Sequence, residues 1–219
     1  MEKFSYNVLP PVVDTAAGRK RAKEMQATLT NCYACESIST DPFVTSESGP
    51  RSYHNLQHVY AVNQTLLQLY PYIQDMRLFL YIGWFHDCYY NTHSAKGTNE
   101  KISGDIAYNM LVKAGLPKCD AQFVQAGITA TSEHVFSKVF GPIIDADLWV
   151  LAAKAKEYRN YTKQLRKEYR WCSPQQWREG RITWIESMLK REHIYCLGES
   201  RAILEDRARK NLLAERLSL

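Results

Sequence analysis

The sequence predicts an all-α fold, an irregular bundle of packed helices. Three observations carry this reading. Apolar residues recur at three- and four-residue spacing along most of the 219 residues. Alternating strand patterns are nearly absent. The breaks between periodic segments carry helix start and stop signals.

The elements follow in chain order. Residues 16–36 bring Ala22, Met25, Leu29 and Tyr33 to one face, and a turn-rich stretch from Ser37 to Ser52 with Pro42, Gly49 and Pro50 follows. Residues 55–70 repeat the pattern with Val59, Val62, Leu66 and Leu69, closed by Pro71. Residues 75–88 are apolar on every side (Leu78, Phe79, Leu80, Tyr81, Ile82, Trp84, Phe85), which predicts a buried helix. A polar loop, Tyr89 to Gly97, leads to a helix over 98–114 that Gly115-Leu-Pro117 stops. Helices are expected at 119–133 and 143–156, and Tyr158, Tyr161, Leu165 and Tyr169 mark another. Ser173-Pro-Gln-Gln176 is a sharp start signal: Ser caps, Pro fits the first turn, and Gln176 completes a capping box. The last helix spans 199–216 with Ile203, Leu212 and Leu213.

Composition excludes several classes. At 45% hydrophobic and 12% aromatic the chain is too apolar for intrinsic disorder, and 10 Gly and 8 Pro without a period exclude fibrous classes. The longest apolar run, Leu78–Phe85, is far shorter than the roughly 20 residues a membrane span needs. The first residues offer no signal-peptide pattern, so the expectation is a soluble, cytoplasmic protein. The length suggests one compact unit, with residues 1–49 as an N-terminal helical flank and 50–219 as the main domain, basic C-terminal helices included. Six cysteines in a chain this long need not form a disulfide framework. Cys32 and Cys35 have a metal-like spacing but lack a second pair, so they read as two thiols one helical turn apart.

Charge is uneven. Residues 1–150 hold 12 Lys+Arg against 14 Asp+Glu, a net of −2, and residues 151–219 hold 16 against 9, a net of +7. The basic third suits a nucleic-acid surface, a cradle for an anionic small molecule, or solvated helix faces; interleaved Glu residues favour the last.

Four features bear chemistry. In Tyr53-His54-Asn-Leu-Gln-His58 the two histidines are four apart and share a helix face. His86-Asp87 ends the most buried helix, where two ionisable groups are costly unless a metal or partner satisfies them. Thr131-Ser-Glu-His134 and Asp145-Ala-Asp147 complete the set. Imidazole plus carboxylate suits Mn²⁺, Fe²⁺, Co²⁺, Ni²⁺ or Zn²⁺, whereas Mg²⁺ prefers mostly oxygen. Singly, a lone histidine is better explained as a bonded structural residue and Asp145-Ala-Asp147 as a helix cap, whereas His86-Asp87 is harder to dismiss.

The order His58, His86-Asp87, Asp147 resembles the HD superfamily of metal-dependent phosphohydrolases. Trp84-Phe-His-Asp87, Asn99-Glu100, Asp145-Ala-Asp-Leu148, Arg166-Lys-Glu-Tyr169, Gly180-Arg181, Ile194-Tyr195 and Ala208-Arg-Lys-Asn-Leu212 resemble its branch of predicted phosphohydrolases, over about 50–216. The resemblance implies an HD-type helical bundle with His58, His86, Asp87 and Asp147 as metal ligands. His54 and Asp145 become alternative ligands or partners that orient the ligands. It further implies hydrolysis of a phosphate ester or anhydride, foremost of a nucleotide, by metal-activated water. In that reading Glu100 orients or deprotonates the water, or else complements its helix dipole. His134 is a general acid, a phosphate donor, a second-metal ligand or a buried, bonded histidine. Arg51, Lys96 and Arg181 are the candidate phosphate binders. Tyr89, Tyr90 and Trp84 flank a base or belong to the core. One departure concerns the general base: Cys88-Tyr-Tyr-Asn91 follows the His-Asp pair where many HD nucleotidases carry an acid. The alternative is a non-catalytic HD domain that senses a nucleotide or partner. Nucleic-acid binding ranks third for want of a base-reading motif, and homo-oligomerisation stays open.

Overall fold

The computed structural model of the chain describes residues 4–37 and 50–219. Nine α-helices run through them: α1 (Ala16–Cys32), α2 (Leu56–Leu69), α3 (Met76–Phe85), α4 (Thr98–Lys113), α5 (Lys118–Ala130), α6 (Gly141–Asp147), α7 (Ala155–Glu168), α8 (Pro174–Leu189) and α9 (Gly198–Ser218). Among the described residues there is no strand, only an isolated bridge between Cys35 and Pro50, so the fold is all-α as the periodicity predicts. No helix among them is long and apolar enough to cross a membrane. The chain divides into two compact units, Met1–Val135 and Phe136–Leu219.

The first unit is built on α3. Every residue of this helix except Arg77 is buried, the burial that an all-round apolar segment demands. It packs against α2, α4 and α5, and α4 packs against α5. Gly83 permits a close approach of α2, because a Cβ there would stand 2.0 Å from the side-chain oxygen of Asn63. The N-terminal stretch is fastened to the same helix. The Tyr81 hydroxyl donates to the Pro10 carbonyl (3.1 Å), Arg77 to that of Val12 (2.9 Å) and the Tyr33 hydroxyl to that of Trp84 (2.9 Å). Residues 4–37 are fastened to this unit by these bonds, and the boundary expected at 49 lies outside the described residues. Helix α1 stops at Cys32, so Cys35 lies beyond it and not one helical turn along.

In the second unit α9 packs against α8 and a 3₁₀ turn at Leu148–Ala152, which also contacts α6 and α7. The continuous helix expected over 143–156 is broken here. Donors from elsewhere in the unit take the carbonyls that would continue it: the Tyr195 hydroxyl bonds Leu148 O (3.1 Å), and the Asn211 amide bonds Leu151 O (2.8 Å) and Ala153 O (2.9 Å). Both halves of the expected capping box form at α8, with Gln176 N–H donating to Ser173 Oγ (3.2 Å) and Ser173 N–H to Gln176 Oε1 (2.9 Å). Helix α9 buries Leu204, Ala208, Leu212 and Glu215, while Ile203 and Leu213 are exposed.

Candidate metal centre

Two helix ends set the histidines. Asn55 caps α2, its side chain accepting from Gln57 N–H (2.9 Å), and His58 sits in the first turn. His86 follows the last residue of α3. Both are buried, with Nε2 atoms 3.1 Å apart. His86 Nδ1 lies 2.9 Å from the Gly83 carbonyl, which can only accept. Neutral His86 therefore carries its proton on Nδ1 and presents the Nε2 lone pair towards His58. A backbone carbonyl fixing the tautomer in this way is the usual support of a ligating imidazole.

Asp87 closes the group, its Oδ2 standing 3.2 Å from His86 Nε2 and 3.6 Å from His58 Nε2. Burial pushes its carboxyl up, but His86 in its protonated form, donating through Nε2–H, with His54 and His58 nearby, outweighs this and holds it well below the usual carboxylate range. Asp87 is thus an anion facing two imidazole nitrogens. Asp147 is the half-buried last residue of α6. The two imidazoles and the Asp87 carboxylate, all of the first unit, form a group able to hold a metal ion. Two imidazoles and carboxylate oxygen make a mixed nitrogen and oxygen donor set, which fits a divalent transition ion.

The near-duplicates separate from this group. His54 precedes the cap of α2, so it is off the helix and does not share a helical face with His58. Its ring stacks on Tyr90, centroids 4.1 Å apart, and stands 5.7 Å from that of His58. Tyr53 lies 4.9 Å from both rings. Asp145 is fully buried and accepts from the backbone N–H groups of Cys196 (2.6 Å) and Leu197 (3.0 Å), anchoring the start of α9. Its carboxylate thus holds the segment that leads into α9 by two charge-assisted hydrogen bonds.

Two of the three expected phosphate binders are committed elsewhere. Arg51 spends all five N–H donors inside the protein: Nε on Cys35 O (2.8 Å), Nη1 on His54 O (3.3 Å) and Asp87 O (2.6 Å), Nη2 on Ser37 Oγ (3.3 Å) and Cys88 O (3.1 Å). Arg181, buried in α8, forks onto Glu215 of α9 (2.8 and 3.0 Å), with Trp184 4.3 Å from its guanidinium. Arg51 has no donor left for phosphate, and the charge of buried Arg181 is already matched by Glu215. Lys96 is exposed and pairs with Glu133 (2.6 Å), tying the 89–97 loop to the turn that holds His134. His134 has a φ of +46°, the only positive φ outside glycine among the described residues. Such backbone concentrates at functional positions, although histidine adopts it more readily than most residues. Glu100 stands half-buried in the first turn of α4. Trp84, Tyr89 and Tyr90 are buried core residues. The features that sequence reasoning missed are the Gly83 carbonyl and the Arg51 hub. Both act through backbone atoms, which no residue pattern reveals.

No protein-family model matches the chain, and no curated protein or solved structure is significantly similar to it.

Proposed function

We propose that the chain is a metal-dependent phosphohydrolase of HD type, acting on a phosphate ester or anhydride, with nucleotides the leading substrate class. The observation that carries the proposal is the orientation of His86. Its Nδ1 is committed to Gly83 O, and its Nε2 meets His58 Nε2 and the Asp87 carboxylate within 3.2 Å. Two imidazoles and a carboxylate so placed are the donor set a divalent cation takes up at one point. A divalent ion there supplies a Lewis acid that acidifies water and neutralises charge on a phosphoryl oxygen.

The chain's own residues do the rest. His58, His86, Asp87 and Asp147 bind the ion. Glu100 orients or deprotonates the attacking water, and His134 donates a proton or a hydrogen bond to the leaving side. Lys96, on a loop already bonded to the His134 turn, draws the phosphate in. A second reading, a nucleotide sensor without turnover, is favoured by one feature: buried Cys88, Tyr89 and Tyr90 follow Asp87 where a catalytic acid would stand.

The test is metal analysis of purified protein, then phosphate release from a panel of nucleotides and phosphoesters. Release that stops on exhaustive chelation and returns with Mn²⁺ or Co²⁺ supports hydrolysis. Release that survives chelation overturns it, and stoichiometric nucleotide binding without release selects the sensor.

A further inference from the structure

We propose that Arg51 is a positioning residue for the metal ligands: its guanidinium fixes the backbone from which His86 and Asp87 project. This rests on the metal reading above. The sequence places Arg51 three residues before His54, which suggested phosphate contact, but its geometry serves the chain itself. Its shortest bond, 2.6 Å, goes to the carbonyl of Asp87, and the next carbonyl, of Cys88, is held at 3.1 Å. Both peptide planes after Asp87 are thereby pinned.

The same plane reaches Cys35 O, Ser37 Oγ and His54 O, so one side chain joins the segment after α1, the entry to α2 and the exit from α3. Ring faces of Tyr33 and Tyr90 lie 5.3 and 5.7 Å from the guanidinium carbon. Ser37 strengthens the joint, since its N–H donates to Tyr90 O (2.8 Å) and its Oγ accepts from Tyr90 N–H (3.2 Å). Tyr90 in turn stacks on His54. His58 therefore starts from a helix entry that the same guanidinium holds against the Asp87 backbone.

Arginine is required because its planar fork offers five donors in fixed directions, whereas lysine offers a compact charge with three. Arg51→Lys retains the charge and loses the joint. Ligand misplacement then weakens metal binding even in folded protein, by about 10–100-fold as for other groups that orient ligands.

The experiment titrates metal-free protein with Co²⁺ and follows the visible ligand-field absorption, with folding checked by circular dichroism. Arg209→Lys is the control, because Arg209 also staples carbonyls, of Leu189, Arg191 and Glu192, but remote in sequence from the ligands. A purely structural role predicts that both variants lower the melting temperature and leave Co²⁺ affinity and spectrum alone. The proposal expects affinity loss and an altered spectrum in Arg51→Lys only. Folded Arg51→Lys that binds Co²⁺ within about twofold of wild type, far short of the expected loss, overturns it. If Arg51→Lys does not fold, Ser37→Ala decides: weaker Co²⁺ binding with fold retained supports the joint, and unchanged binding overturns it. Wild-type protein that binds no Co²⁺ overturns the metal reading itself, and the Arg51 role with it.

Discussion

Each unit buries a cluster of charged side chains, around His86 in the first and Arg181 in the second, and these two are opposites. In the second unit Arg181, Glu215 and Tyr158 form a closed set. The guanidinium forks onto the carboxylate, the Tyr158 hydroxyl donates to the same carboxylate, and Trp184 covers the cation. Charge balances within it. In the first unit His86 turns its Nε2 towards His58 Nε2, 3.1 Å away, and towards the Asp87 carboxylate, with no Lys or Arg head group in the set. A cluster whose charges cancel internally is architecture, whereas one that brings two imidazoles and a carboxylate to a point is able to hold a cation. The difference teaches that burial of charge alone does not mark a site. What marks it is the direction in which the donors and acceptors face.

The sharpest way to break the comparison is to open the closed cluster. Arg181→Ala leaves Glu215 buried without its cation, and the expected loss is about 3–5 kcal/mol in denaturant unfolding. Replacing the pair together, Arg181→Met with Glu215→Leu, should recover most of that loss, because the pair is offset by its own desolvation. Metal binding by whatever protein remains folded should not change. Failure of the double variant to recover, together with lost metal binding, would erase the contrast.

His86→Ala tests the open cluster. The expected effect is a loss of Co²⁺ or Zn²⁺ affinity beyond the about 100-fold that orienting groups command, read by calorimetry. Thermal stability of the metal-free protein should fall too, since the truncation leaves a cavity and strips the buried Gly83 carbonyl and Asp87 carboxylate of a partner, so affinity is compared on folded protein. An unchanged metal affinity would place the ion elsewhere.

Gly83→Ala probes the link between helix packing and the site. An added methyl would meet the Asn63 side-chain oxygen at 2.0 Å in a fully buried place, so α2 and α3 must part slightly. Overpacking of this kind costs about 1–3 kcal/mol. Metal affinity should fall as well, since α2 carries His58 and the Gly83 carbonyl orients His86. Stability loss without affinity loss would show that the ligands tolerate the shift.

How far the sequence could be read follows from the range of each interaction. The α8 start was legible because Ser173 and Gln176 bond to each other three residues apart, and α3 because its apolar character is its own. The His-Asp pair was legible for the same reason. The break at Leu148 was not, since Tyr195 and Asn211 act on it from about 50 and 60 residues away. Nor was the use of the +7 third. Arg166, Arg201 and Arg209 spend their charge on nearby backbone carbonyls and Arg216 bonds Glu186, so much of the basic excess is internal staple rather than open surface. Arg51 and Asp145 were misread alike, because a charged side chain facing backbone leaves no signature in residue type.

The mildest contrast lies in two buried thiols, Cys88 in the first unit and Cys196 in the second. Burial pushes the Cys88 thiol up to about 12 and that of Cys196 up to about 11, the latter helped by Asp145. An unfolded thiol ionises near about 8.5. Because the folded values are raised, the stabilisation is complete below the unfolded pKa and is lost as pH climbs above it. Between pH 7 and 9 each thiol should cost under about 1 kcal/mol, measured by urea unfolding at both values. Cys196→Ala should flatten that slope by its share. Cys88→Ala should flatten it equally in metal-free protein. In the presence of metal the binding energy adds to both pH values and the remaining slope reports on the ligands instead. A slope that ignores both substitutions would mean the thiols are not shielded as their burial implies.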